Sequence, residues 1–303
     1  MDLNPIEKEA IEEFRRRSSP DWPSPPVDER AEWLRFGLFL LSRAGAIVRN
    51  MRLGPLKKLV RFKADGSPVT LQDEEIESIL QQEVSRFMPD MRIVGEESGG
   101  RIPLEGIAVA VDPIDGTWAF INRMETCATS LVFLRDQVPF LGLVMNPVTG
   151  ELAYAFSDSK SRLLQFSIFG ENDIGYDLPL ERASPDSVLV HVQPNKSAGD
   201  LMNRLFRRWA DGEISMLRMA GGSPAYFLLE AAKGSFGYIN LWSRRPAEVY
   251  DLLAGILIVR GAGGEVIDTT GTSVSGLDHS GPFIAGIDRD TLKKITELTY
   301  YVG

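Results

Sequence analysis

The chain has 303 residues, 44% hydrophobic and 25% charged, a balance suited to a globular protein of one large domain or two sharing a cleft. Its formal charge of -9 argues against a nucleic-acid backbone or an anionic membrane surface as the main partner. The single cysteine, Cys127, excludes an intramolecular disulfide, and no run approaches the roughly 20 apolar residues of a membrane span.

Met1–Arg17 mixes acidic and basic residues and lacks the apolar stretch of a secretory signal, so a cytoplasmic location is expected. Residues 1–29 read as an N-terminal extension, a short polar helix followed by the proline-rich connector Ser18 to Pro26. From Glu29 to Met51, apolar residues recur at Leu34, Leu38, Leu41, Ala44 and Val48, a helical stripe that Gly54-Pro55 ends. Thr70-Leu71-Gln72-Asp73 has the form of a capping box, and Ile76, Ile79, Leu80, Val84 and Phe87 give the next helix its buried face. Met91–Val94 reads as a strand, as does Ile107–Val111. Cys127–Leu134, Val138–Met145 and Glu151–Phe156 read as antiparallel strands joined by tight turns.

Residues 157–185 lose periodicity among Gly, Asn, Asp and Pro, which places a boundary between an N-terminal α+β half, 30–185, and a C-terminal α/β half, 186–303. In the second half, strands are expected at Ser187–Val192, Ile214–Met219, Phe236–Ile239, Gly264–Ile267 and Phe283–Ala285. Helices are expected at Asp200–Trp209, from Ser223 with Pro224 in its first turn, at Glu248–Val259 and at Thr291–Leu298.

Chemistry concentrates at Ala110-Val111-Asp112-Pro113-Ile114-Asp115-Gly116-Thr117. An apolar run meets two carboxylates, a glycine and a hydroxyl, and no Lys, Arg or His lies between Ile102 and Phe120 to neutralise the acids. Desolvated like charges repel at a cost of several kcal/mol, and a hard divalent cation with oxygen ligands is the simplest compensation. Asp73 at a helix start, Glu96 after a strand and Asp251 near another helix start are further acids at element ends. Taken singly, Asp73 serves equally well as a cap partner of Thr70, Glu96 and Glu97 as loop solvation, and Asp251 as a helix-dipole partner. Together they suit phosphate monoester hydrolysis. That reaction needs an activated water, neutralised phosphoryl oxygens and help for the leaving alkoxide. Thr117 and Asp73 could orient and deprotonate the water, and the Gly116 and Thr117 amides could hold a phosphate oxygen. His191 and His279 are too few and too scattered for a histidine mechanism.

From Arg30 to the C-terminus, the sequence resembles the inositol monophosphatase family of lithium-sensitive, Mg²⁺-dependent phosphatases. Asp112-Pro113-Ile114-Asp115-Gly116-Thr117 is similar to the family signature in full, and Gly95-Glu96-Glu97-Ser98 to its Gly-Glu-Glu element. Lys63-x-Asp65…Val69-Thr70-x-x-Asp73 resembles the loop before the second helix. Tyr250-Asp251-Leu252-Leu253-Ala254-Gly255…Gly261-Ala262-Gly263-Gly264 resembles the late Trp-Asp…Gly-Gly motif. The resemblance implies a layered αβαβα sandwich of the inositol monophosphatase/fructose-1,6-bisphosphatase type, and commonly a homodimer. It implies Mg²⁺ held by Glu96, Asp112, Asp115, Asp251 and the Ile114 carbonyl. Asp73 and Thr117 would activate water, while Gly116 and Thr117 would contact phosphate. Ser223, in the family's Gly-Ser-Ala substrate loop, together with Asn240 and Asp251, would meet a small phosphorylated substrate.

The departures concern substrate. Ala119, preceded by Trp118, replaces a frequent Asn, and Tyr250 replaces the usual Trp. Asn240 falls where inositol phosphatases carry a substrate-binding Glu, and Trp242–Glu248, with Arg244 and Arg245, is an insertion. Arg244 and Arg245 could meet a second anionic group or simply sit in a solvated loop. Histidinol-phosphatase and 3′(2′),5′-bisphosphate nucleotidase are the alternative activities, the nucleotidase disfavoured by the missing Glu-Phe after Thr117. A non-catalytic metal-binding regulatory relative is the alternative of another class.

Overall fold

Alternating apolar segments become two sheets, and helices fill the spaces around and between them. The computed structural model describes residues 3–16, 30–52, 60–63, 66, 68–165, 174–182, 187–194, 198–241, 249–277, 279, 281–287 and 289–300. The first part contains α1 (Pro5–Arg16), α2 (Arg30–Arg52), β1 (Val60–Phe62), β2 (Pro68–Thr70), α3 (Leu71–Phe87), β3 (Arg92–Gly95) and β4 (Ile107–Asp115). It continues with the short α4 (Thr117–Ile121), β5 (Ala128–Arg135), β6 (Val138–Met145), β7 (Glu151–Phe156), β8 (Arg162–Gln165) and β9 (Ile174–Asp177). Then come β10 (Leu189–Gln193), α5 (Gly199–Ala210), β11 (Met216–Met219), α6 (Pro224–Ala232) and β12 (Gly237–Asn240). The last elements are α7 (Val249–Gly261), β13 (Glu265–Asp268), β14 (Phe283–Gly286) and α8 (Arg289–Tyr300).

Strands β3 to β9 lie in chain order in one seven-stranded sheet, antiparallel except for the β3–β4 pair. The second sheet has the order β11-β10-β12-β14-β13, with β10 parallel to β11 and β12 and β14 antiparallel to both of its neighbours. Strand period decides what each face meets. Val109, Val111, Leu131, Phe133, Leu141 and Leu143 point to one face of the large sheet and pack on α2 and α3 through Leu34, Phe36, Leu41, Ile76 and Leu80. The intervening residues Ala110, Ala128, Val132, Val144, Ala153 and Ala155 point to the other face and pack on α6 and α7. A third cluster joins the outer face of the small sheet to α5 and α8 through Val190, Val192, Leu205, Ile239, Leu292 and Ile295. Helix, sheet, helices, sheet, helix: this is the expected αβαβα sandwich.

The helical stripe of α2, the capping box of Thr70 and Asp73, and the Ser223 cap of α6 form as the sequence predicts. Two expectations change. The aperiodic stretch 157–185 contains β8 and β9, which extend the large sheet by two strands. These strands are four residues each, too short for a period to stand out between Gly, Asn and Asp. The segment 1–29, read as an extension, contributes α1 to the body of the fold. Ala10 and Ile11 join the first core cluster, and Glu7 is fully buried beneath them.

Chemistry explains how a polar helix docks. Arg162 on β8 donates from Nε to Glu7 Oε1 at 2.7 Å and from a terminal nitrogen to Glu7 Oε2 at 2.9 Å. Its other terminal nitrogen donates to Asp177 at 2.6 Å, and the Tyr154 hydroxyl donates to Glu7 at 3.0 Å. Gly175 leaves the room, since a Cβ there would stand 2.5 Å from the guanidinium. Removing one member of a buried ion pair strands the other without compensation. Arg162→Met should therefore lower the unfolding free energy by about 3–5 kcal/mol in urea titrations, and adding Glu7→Leu should recover most of that loss. An Arg162→Met protein as stable as the parent would show that this pair does not anchor α1.

Candidate metal centre and active site

The end of β4 is irregular by necessity. Pro113 has no N–H to give to a ladder, and the register with β5 shifts between Asp112 and Asp115. The strand, expected to end at Val111, thus runs on through Asp115. Local bonds fix the bulge: Asp112 Oδ1 accepts from the Ile114 N–H at 2.8 Å, and Thr129 Oγ1 donates to the Pro113 carbonyl at 2.8 Å. Gly116 then turns the chain at φ 83° into α4. A Cβ there would lie 2.7 Å from the Ser223 nitrogen, so both the left-handed backbone and the close approach call for glycine.

Ser223 is part of the same joint. Its hydroxyl and the Ala225 N–H, at 2.8 Å, both donate to Asp115 Oδ2, so the start of α6 clamps one oxygen of that carboxylate. The same hydroxyl accepts from the Tyr226 N–H and caps the helix, uniting the two readings of Ser223. Helix α7 brings the third acid. It lies close to the large sheet because a Cβ on Gly142 would stand 2.9 Å from the Ala254 Cα. Asp251 occupies its first turn. Oxygens of Asp112, Asp115 and Asp251 all lie within 4.8 Å of one another.

Burial and mutual repulsion act together on this cluster. Burial pushes the Asp112 carboxyl well above the usual range, and the charges of Glu96, Asp251, Asp115 and Asp73 push it further. Burial also raises Asp115, to about 7, against the lowering effect of the Ser223 and Ala225 hydrogen bonds. Three hard oxygen donors, two of them buried, held close enough to repel one another, fit a divalent cation.

Glu96 stands differently from its sequence expectation. It is near enough to raise Asp112, yet the close trio does not include it. Lys63 Nζ donates instead to Glu96 at 2.7 Å and to Glu97 at 2.8 Å. Burial works against the Lys63 charge, but these two partners outweigh it and push its pKa up. The loop itself rests on Glu77, whose carboxylate accepts from the Glu97 and Ser98 N–H groups at 3.0 and 2.9 Å. A Cβ on Gly95 would collide with that carboxylate at 2.2 Å. Sequence reading missed Glu77; its only signal was a carboxylate on the apolar face of α3, one position after Ile76.

Asp73 and Thr117 are held apart in bonding. Asp73 Oδ2 accepts from the Thr70 N–H at 2.7 Å and hydroxyl at 2.8 Å, while Thr117 Oγ1 donates to the Ile114 carbonyl at 3.2 Å. Among the described residues no hydrogen bond joins Asp73 to Thr117. Burial raises Asp73 to about 7, offset in part by its bonds to Thr70. Asn240 is buried, and its Nδ2 donates to the Tyr238 hydroxyl at 3.0 Å; that hydroxyl donates to Gln193, whose Nε2 donates to the Gly222 carbonyl at 3.3 Å. His191 stacks on Phe227 at 3.9 Å within the core, and burial lowers its pKa to about 4. Asp65, Arg244 and Arg245 lie outside the described residues.

The profile of the inositol monophosphatase family matches residues 29–299. The chain belongs to the inositol monophosphatase family. Curated relatives include a histidinol-phosphatase of Mycobacterium tuberculosis, 27% identical over 83% of this chain and 92% of that protein. Another is a fructose-1,6-bisphosphatase/inositol-1-monophosphatase of Thermotoga maritima, 26% identical over 89% of this chain and 98% of its own. Among solved structures, the extragenic suppressor protein suhB of Bartonella henselae superposes with a TM-score of 0.72 over 89% of this chain and 99% of its own, at 24% identity. Family membership makes this chain a phosphoric monoester hydrolase of a small phosphorylated substrate; the family is metal-dependent, and Asp112, Asp115 and Asp251 form a carboxylate cluster.

Raised carboxyl pKa values have a definite sign in stability. The folded state holds protons on Asp73 and Asp115 between about pH 4 and pH 7 that the unfolded chain has released. Their contribution to stability is therefore full below about pH 4 and lost as pH rises through about 7. With chelator present, they should make thermal unfolding occur at a lower temperature at pH 8 than at pH 5.5, and Asp115→Asn should reduce that difference. Added divalent cation should raise the unfolding temperature more at pH 8, where the acids are deprotonated. A larger cation effect at pH 5.5 would contradict this picture.

Proposed function

We propose that the chain is a Mg²⁺-dependent phosphomonoesterase of the inositol-monophosphatase type, acting through metal-activated water. The observation that carries this is the trio Asp112, Asp115 and Asp251, the first two buried and the third half-buried, whose carboxylate oxygens all lie within 4.8 Å of one another. With Glu96 and the Ile114 carbonyl, they are the proposed ligands, a hard-oxygen set suited to Mg²⁺. A bound divalent ion would neutralise phosphoryl oxygens and lower the pKa of an attacking water.

The remaining roles fall to the chain itself. Asp73, with a pKa raised to about 7, is the proposed acceptor of the water's proton, and the Thr117 hydroxyl orients that water. The Gly116 and Thr117 amides hold the phosphate. Ser223, Asn240 and Asp251 border the organic part of the substrate. The division into 30–185, to which α1 is joined, and 186–303 belongs to the same proposal. The first segment supplies Asp73, Glu96, Asp112 and Asp115, and the second supplies Ser223, Asn240 and Asp251. Lithium sensitivity and a homodimer rest on the family, and a cytoplasmic location on the single cysteine, which fits a reducing compartment.

Asn240 supports histidinol-phosphatase as the second reading. It is buried against Tyr238 and offers no carboxylate to the hydroxyls of a polyol. A phosphate-release screen with Mg²⁺ over inositol, histidinol, fructose-bisphosphate and nucleotide phosphates separates these substrates. On the best of them, Asp112→Asn should lose at least ~10²-fold in kcat, and Thr117→Ala about 10²-fold. An unchanged rate in Asp112→Asn would overturn the ligand assignment, and full activity in Thr117→Ala would remove its role with the water.

A further inference from the structure

Two large aromatic side chains stand in solvent next to residues of the hydrolytic centre. Phe62 is 61% exposed and Trp118 is 51% exposed, and their ring centroids lie 5.9 Å apart at an interplanar angle of 48°. They belong to different elements, β1 and α4, so the pairing is tertiary. Phe62 immediately precedes Lys63, which binds Glu96 and Glu97. Trp118 immediately follows Thr117 of the signature. Leu71 and Met124, also exposed, extend the apolar character of these segments: Leu71 follows Thr70, which holds Asp73, and Met124 closes α4 by donating to the Ala119 carbonyl.

Single exposed apolar residues need no explanation, but a paired aromatic surface beside a polar centre is a contact surface. The ionic end of a phosphate ester belongs with the carboxylates and signature amides, which leaves its alcohol to face the rim. Rings such as these attract the faces and edges of other planar rings, and a cationic ring adds a cation–π attraction. They offer a ring of hydroxyls no acceptor, and only the indole N–H as a donor. We infer that Phe62 and Trp118 are specificity-determining residues that grip the leaving-group alcohol and favour phosphate esters bearing an aromatic or heteroaromatic ring over polyol phosphates. This rests on the proposed placement of phosphate at Asp112–Thr117.

The test compares benzyl phosphate with glycerol 2-phosphate, two alkyl esters that differ in the ring. The parent protein should show the higher kcat/KM on benzyl phosphate. Trp118→Ala and Phe62→Ala should each lower the benzyl-to-glycerol ratio about tenfold, mostly through KM, and Trp118→Phe should keep most of it. An unchanged ratio, or equal loss on both esters, overturns the inference. Binding of benzylphosphonate, read as tryptophan fluorescence quenching that disappears in Trp118→Phe, separates it from the hydrolytic reading. Quenching without phosphate release from either ester keeps the aromatic grip and refutes the phosphatase mechanism, whereas release without quenching does the reverse. Light scattering completes the set: a Trp118→Ser protein that loses a subunit partner assigns the rings to a protein contact and overturns the inference.

Discussion

Mutual repulsion among Asp112, Asp115 and Asp251 is the constraint to which the surrounding structure answers. Three carboxylates with oxygens within 4.8 Å of one another do not gather by themselves. They are held by groups that have other reasons to be where they are. Asp112 is fixed by a bulge that Pro113 makes unavoidable, Asp115 by the capped start of α6, and Asp251 by the packing of α7 on the sheet. Breaking any one of these supports would let charge relax into solvent, and the cluster would be lost without any of its acids being changed.

Side-chain size on the large sheet provides much of that support. The face towards α2 and α3 carries Leu, Phe and Val, while the face towards α7 is dominated by small residues around Gly142. The small face lets a helix approach closely enough for its first turn to stand over the end of β4. Gly255 repeats the device between α7 and α6, since a Cβ there would meet Leu228 at 2.6 Å. Packing geometry and electrostatics are thus one design: small residues set the helix position, and the helix position sets the distance between acids.

Much of this was legible in the chain. Asp112–Thr117 announces itself because an apolar strand ending in acids has no use in packing, and the α2 stripe, the Thr70 cap and the later strands follow from period alone. What stayed hidden depends on partners distant in sequence. Nothing local to Glu7 foretells Arg162, and nothing in Glu77 foretells the loop 95–98 that its carboxylate holds. The Lys63 bridge to Glu96 and Glu97 is of the same kind, as is the bond between Ser223 and Asp115. β8 and β9 were missed because four-residue strands are too brief to carry a period. The exposed pair Phe62 and Trp118 has no pattern at all, only position beside Lys63 and Thr117.

The central claim is that this cluster holds protons in the absence of an ion and yields them when one binds. Calorimetric titration of the chelator-treated protein with Mg²⁺ at pH 7, in two buffers of different ionisation enthalpy, measures that exchange directly. With Asp115 raised to about 7 and Asp112 pushed well above the usual carboxylate range, binding should release roughly one proton or more per ion. Binding without proton release, or no binding at all, would contradict it.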